Sequence, residues 1–191
     1  MSALETPEVV SESLGRLYTA IDLEMLPSGE RLELIRGELC PMPNNSAEHG
    51  NITMELTLFV GLYVREHDLG KCFAAETRFT IEEDPDTSLG PDFSFVSKDR
   101  IAAIPPRGYL KLAPDLVVET RSPGDRRTEY ALKIDRWLRA GCRLVWAVDP
   151  ETRTVTVHRM GAAPITIAAS GTLEGEDVLP GFQLPLARLF P

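Results

Sequence analysis

The sequence predicts an α/β fold with a mixed central sheet flanked by helices and additional antiparallel edge strands. Three observations carry this expectation. PDLVVET at 114–120 and RLVWAV at 143–148 are apolar, β-branched runs of strand length, as expected for strands buried on both faces. The segment between them, from Asp125 to about Ala140, has helical spacing and makes a strand–helix–strand unit. PDFSFV at 91–96 is a third apolar run, so 91–96, 115–120 and 143–148 are expected at the sheet centre.

In chain order, residues 1–18 are polar and acidic and read as a mobile arm ahead of one domain spanning 19–191. Thr19 is a good N-cap for a short helix ending near Leu26. RLELIR alternates apolar and charged residues, and Gly37 permits a tight turn into ELCPM, which predicts a hairpin. Ser46 opens a longer helix, with Ile52, Leu56, Phe59, Leu62 and Tyr63 at helical spacing and Gly70 expected to close it. KCFAAETRFTIEE reads as one strand and EEDPDTSLG as an acidic loop. A loop rich in Pro and Gly follows residue 96. SPGD is a turn, with Asp125 expected to cap the next helix and Gly141 to end it. TVTVHR, PITIA and the closing LPGFQLPLARLF supply edge strands and a short terminal segment.

Composition narrows the function classes. The chain has 191 residues and a formal net charge of -9, which argues against a protein that coats nucleic acid by neutralising phosphates. The longest nearly apolar run, Leu56–Val64, falls short of the ~20 residues of a membrane span, and the N-terminus does not read as a secretory signal. Cys40, Cys72 and Cys142 lie far apart with no metal-ligand spacing, which fits a reducing cytoplasm better than a disulfide framework or zinc. No phosphate-cradling Gly-rich loop is present.

The chemistry resides in carboxylates. Asp92 begins one apolar strand and Glu119 nearly ends another. An ionised carboxylate in such a strand must be paired or must bind a cation. Two of them on neighbouring strands repel each other, and a hard divalent ion turns that repulsion into binding. On spacing alone, Asp92 capping a turn and Glu119 pairing with an arginine is the better explanation, because the PD…E pattern is weak. Asp115 is a rival to Asp92, but four residues of strand separate it from Glu119 by about 13 Å, too far to share an ion. Lys133 is one of only four lysines against sixteen arginines. It sits at the edge of the apolar face of its helix. From there it can snorkel to solvent, or it can reach the end of the Glu119 strand and stabilise developing negative charge.

RLELIRGEL, a histidine early in the long helix, PDFSFV, PDLVVETRSP, the Lys133 helix, GCRLVWAVDPETRTVTVHR and DVLPGF occur in that order. As an ordered set they resemble the Uma-type family of restriction-endonuclease-like proteins, a branch of the PD-(D/E)XK nuclease superfamily. The resemblance covers about residues 19–191. It implies a restriction-endonuclease-like core with Mg2+ (Mn2+ substituting) held by Asp92 and Glu119, and with the Thr120 carbonyl as a further oxygen. It also implies Lys133 as the catalytic lysine. The wider superfamily carries that lysine two residues after the glutamate, where this chain has Arg121, which is suited to contact a phosphate or to pair with an acid. Glu33 and His49 match further positions near the site, and Glu76 is a weaker acidic candidate.

The resulting expectation is a Mg2+-dependent endonuclease acting on DNA, functioning as a homodimer. The rivals are a non-catalytic nucleic-acid-binding or protein-interaction module on the same fold, and a metal-dependent hydrolase of small phosphoesters. Charge distribution favours nucleic acid more than the total does. Residues 121–143 carry seven bases and three acids, a segment of +4 beside the candidate site, which leaves -13 for the rest. Such a segment would steer phosphate and make binding strongly salt-dependent.

Overall fold

The structure is a computed structural model that describes residues 16–26, 31–42, 44–75, 77–105 and 110–190. Most of the expected N-terminal arm, and Glu76, lie outside the described residues. The part of the arm that is described is docked: Arg16 pairs with Asp22, and the Tyr18 N–H donates to the Gly37 carbonyl at 2.8 Å.

Helix α1 (Ala20–Met25) starts from Thr19, whose side chain accepts from the Asp22 N–H while the Asp22 carboxylate accepts from the Thr19 N–H. Strands β1 (Leu32–Ile35) and β2 (Glu38–Pro41) form the expected hairpin. Its two-residue turn needs positive φ at both positions; Arg36 has 51° and Gly37 has 81°. Helix α2 (Ala47–Glu66) begins from a Ser46 cap and stops before Gly70. Gly70 instead opens β3 (Gly70–Ala74), where a Cβ would stand 2.1 Å from the Val96 carbonyl oxygen. The glycine lets two backbones touch rather than ending a helix.

The single strand expected over KCFAAETRFTIEE is two strands in different sheets. β3 pairs with β6 (Phe93–Ser97), whereas β4 (Phe79–Glu82) pairs with β5 (Thr87–Leu89), which occupies part of the expected acidic loop. β1 joins β5, so a second sheet runs β2-β1-β5-β4. A 3-10 turn (Lys98–Ala103) lies in the segment expected to be loop.

The larger sheet has the order β10-β9-β8-β7-β6-β3. β7 (Leu116–Thr120) and β8 (Leu144–Asp149) are parallel neighbours joined through α3 (Arg127–Arg139), and β6 runs antiparallel on the other side of β7. The three apolar runs therefore are adjacent near the sheet centre, as their composition predicts. β9 (Thr154–His158) and β10 (Ile165–Ala168) extend one edge. The closing segment does not extend the sheet; β11 (Thr172–Glu174) and β12 (Gln183–Pro185) form a separate ribbon.

Strand alternation divides the interior into two layers. Leu116 and Val118 on β7, with Phe93, Phe95, Leu144 and Trp146, face α2 and the ribbon residues Leu173, Phe182 and Leu184. Val117, with Val145 and Ala147, faces the other way, onto Ile134 and Trp137 of α3 and Phe79 of the second sheet. Glu119 belongs by its period of two to this second row. That places a carboxylate beneath α3, between helix and small sheet.

Gly70→Ala is expected to cost about 1–3 kcal/mol, because the methyl meets main chain rather than a flexible side chain. Urea unfolding measures it; an unchanged midpoint would contradict the packing described.

Candidate functional site

Antiparallel register brings the two motif acids together. Phe93 pairs with Val118, so the next step of the register sets Asp92 opposite Glu119. Asp92 is held by two donors on one oxygen: the Thr120 N–H gives its hydrogen bond to Oδ2 at 2.7 Å, and His49 Nε2 lies 3.1 Å from the same atom. His49 Nδ1 is buried without a partner, so a proton on Nε2 leaves no N–H orphaned. Oδ1 of Asp92 has no partner among the described residues, and Asp92 lines the cleft.

Glu119 is 4% exposed and held from both sides. Trp137 Nε1 donates to Oε1 at 2.8 Å, and Lys133 Nζ stands 3.1 Å from Oε2. Lys133 and Trp137 are four apart on α3, so one helix face supplies both. The ammonium also lies 2.8 Å from Oε1 of Glu33 on β1, and that carboxylate is fixed by the Gly90 N–H at 3.2 Å. Tyr130, one turn before Lys133, donates to the Glu119 carbonyl at 2.7 Å. Thr120 points to the opposite layer, where its hydroxyl accepts from Thr53 of α2 at 2.9 Å.

Asp92, Glu119, Lys133, Glu33 and His49 are thus gathered into one cluster from four different elements and the residue before β6. Arg121 is not among them. It lies 3.2 Å from Asp149 and also pairs with Glu151, on the other side of α3, as the acid-pairing alternative expects. Asp115 points to the far end of β7, 2.9 Å from Arg100 and accepting from the Ser97 N–H. Asp125 does not cap α3, whose N-cap is Arg126 with no side-chain bond; it closes the preceding turn by accepting from the Ser122 N–H. Trp137 was not singled out from the sequence. Its signal was there: a buried indole needs an acceptor, and its position four after Lys133 named the nearest one.

Electrostatics follow from three acids around one base in a buried place. Burial, with Asp92 and Glu33 adding to it, pushes the Glu119 carboxyl up from 4.5 to about 8, against the pull of Lys133 and Trp137. Burial alone would lower Lys133, but the Glu119 and Glu33 carboxylates outweigh it and raise it, so the ammonium stays charged. Tyr130 is raised by burial and then by Glu119. Among the described residues, no three Asp, Glu, His or Cys side chains converge as a ready-made metal cage. Two carboxylates with one open oxygen, and a surplus of negative charge, fit an ion such as Mg2+, which takes one or two protein oxygens and fills its shell with water and phosphate. The cluster forms the floor of a cavity of about 620 Å3, walled by β1, β2, the start of α2, the turn after β7 and α3.

The family model described as "Putative restriction endonuclease" matches residues 18–187. The chain belongs to the Uma2 family. A solved structure similar to this Uma2 chain is that of "a putative nuclease belonging to DUF820" from Anabaena variabilis ATCC 29413. It is 24% identical, superposes with a TM-score of 0.77, and the match covers 90% of this chain and 97% of that one, which establishes a shared fold. No functionally curated protein matches the sequence.

The raised Glu119 carboxyl sets a pH dependence in the metal-free Uma2 chain. Between about 4.5 and about 8 the folded chain holds a proton that the unfolded chain has lost. That stabilisation is complete below the lower value and lost as pH rises through the upper one. Half-buried His158, lowered by burial, contributes the opposite slope, so a comparison is needed. Thermal melting in chelator is expected to show Glu119→Gln gaining on wild type as pH rises across this window. Parallel curves would contradict the raised value.

Proposed function

We propose that this chain is a divalent-metal-dependent nuclease that hydrolyses phosphodiester bonds in DNA, with Asp92 and Glu119 as ligands of Mg2+ or, in substitution, Mn2+. The observation that carries this reading is the unbalanced buried charge. Glu33, Asp92 and Glu119 surround a single ammonium, and Asp92, on the cleft lining, has one oxygen without a partner among the described residues. The family description supports a nucleic-acid substrate. No helix among the described residues is long and apolar enough to cross a membrane.

When bound, the ion polarises the scissile phosphodiester and lowers the pKa of a water. The side chains do the rest. His49 and the Thr120 N–H hold Asp92 by Oδ2, so that Oδ1 would be the oxygen to hold the ion. Trp137 holds Glu119 by Oε1, so that Oε2, beside Lys133, would be the oxygen to hold the ion. Lys133, steadied by Glu33, offers its ammonium to the attacking water or to the charge growing on the phosphoryl oxygens. Glu33 is a positioning residue for that lysine. The Thr120 carbonyl is a further candidate oxygen. The proposed working unit is the single domain 19–191, as a homodimer in a reducing cytoplasm; the open edge at β10, with Ile165 exposed, is the proposed contact.

Cleavage of a mixed panel of single-stranded and duplex DNA and RNA with Mg2+ or Mn2+ tests this. Asp92→Ala and Glu119→Ala are each expected to reduce cleavage more than about a hundredfold, and Lys133→Met about 10²–10³-fold. Activity that survives loss of both carboxylates would overturn the assignment. Metal-independent DNA binding without cleavage would favour the non-catalytic module instead, and turnover of small phosphoesters alone would favour the small-substrate hydrolase.

A further inference from the structure

The basic segment that made the sequence look suited to nucleic acid is largely ion-paired in the fold. Of the seven bases from 121 to 143, five are committed. Arg121 pairs with Asp149 and Glu151, Arg126 with Glu129, Lys133 with Glu33 and Glu119, Arg139 with Asp135, and Arg143 with Asp115 and Asp177. Arg127 and Arg136 have no ion-pair partner among the described residues. Of these two, Arg136 lines the cleft and Arg127 faces a groove on the other side of α3; the other bases on the cleft wall, Arg31, Arg126 and Lys133, each have a partner. Arg136 lies three residues after Lys133, one turn further along the same helix face.

The shape of the cleft agrees with this charge count. Its reactive floor is recessed: Glu119 and Glu33 are 4% and 8% exposed, so a phosphate must enter the cavity to reach them. About 620 Å3 is the size of a cleft for a drug-sized molecule, roughly one or two nucleotides. Among polar and charged neighbours, the lining also offers apolar side chains from two elements: Leu39 and Met42 at the β2 hairpin and Leu132, 52% exposed, on α3. Such side chains suit the face of a base that a duplex keeps stacked inside.

Resting on the nuclease reading above, we propose that the cleft takes an unpaired segment of nucleic acid rather than intact duplex. A base lies between Leu39, Met42 and Leu132, and Arg136 holds a phosphate next to the one presented to Asp92 and Glu119. Single strands, bubbles and flaps share this chemistry.

Fluorescence anisotropy of the full chain in Ca2+ tests it, using a short labelled DNA oligonucleotide, its RNA counterpart and a blunt duplex of the same sequence. The single strand is expected to bind about tenfold or more tightly than the duplex. With one or two phosphates neutralised, log K against log salt for the single strand should have a slope of about -0.7 to -1.4 rather than about -6 for seven engaged bases on duplex. Arg136→Gln should weaken single-strand binding about tenfold and reduce the slope by about 0.7. Arg127→Gln should change neither. Tighter binding of the RNA strand than the DNA strand would support the unpaired cleft and name RNA as its ligand. Duplex bound as tightly as single strand, a steep slope, an indifferent Arg136→Gln variant, or no binding of either strand would overturn the proposal. Cleavage separates it from the nuclease reading. Carboxylate-dependent cutting of intact duplex as fast as single strand refutes this inference and keeps the nuclease. Single-strand binding with these features but no cutting keeps the cleft and refutes the nuclease.

Discussion

Lys133 is claimed by two carboxylates, with a third, Asp92, close by in the same pocket. A single ammonium cannot balance three acids in a place that water barely reaches, and the strain shows in Glu119, whose carboxyl is driven up by burial. Removing the surplus by protonation is one resolution; a divalent cation is the other. Much of the fold can be read as what holds this imbalance in place. The β6–β7 register sets the acids opposite each other, the β7–α3–β8 crossover lowers lysine and tryptophan onto them, and the β1–β2 hairpin adds Glu33 from a second sheet.

Each acid is tied on one side and left open on another. Asp92 gives Oδ2 to the Thr120 N–H and His49, and its Oδ1 has no partner among the described residues. Glu119 gives Oε1 to Trp137 and shares Oε2 with the lysine. Restraint of this kind would pre-orient the two carboxylates for the proposed cation, so that less orientational freedom would be lost on binding. The polar network is anchored on both layers, since Thr120 bonds to α2 while Glu119 bonds to α3.

The central sheet was legible because fully apolar runs bounded by Pro and Gly have few other readings. PDFSFV, PDLVVET and RLVWAV became β6, β7 and β8 in adjacent positions. The residues marked by motif order, Glu33, His49, Asp92, Glu119 and Lys133, are brought together in space. The second sheet was not legible. KCFAAETRFTIEE has one continuous β character, and nothing local says that its halves pair with different partners. Nor was the charge balance. Seven bases in 121–143 add to a basic segment only if their partners are ignored, and Asp149, Glu151 and Asp177 lie beyond it in sequence and against it in space. Asp125 had the chemistry of a cap, but the tight turn after β7 used that carboxylate first.

The central claim is that Asp92 and Glu119 share one cation. Anomalous diffraction from crystals soaked in Mn2+ tests it most directly. The account predicts a peak about 2.0–2.2 Å from Oδ1 of Asp92 and from Oε2 of Glu119, with Lys133 still within reach of the carboxylates. A fully soaked crystal with no peak there, or with its peak at another cluster, would contradict it.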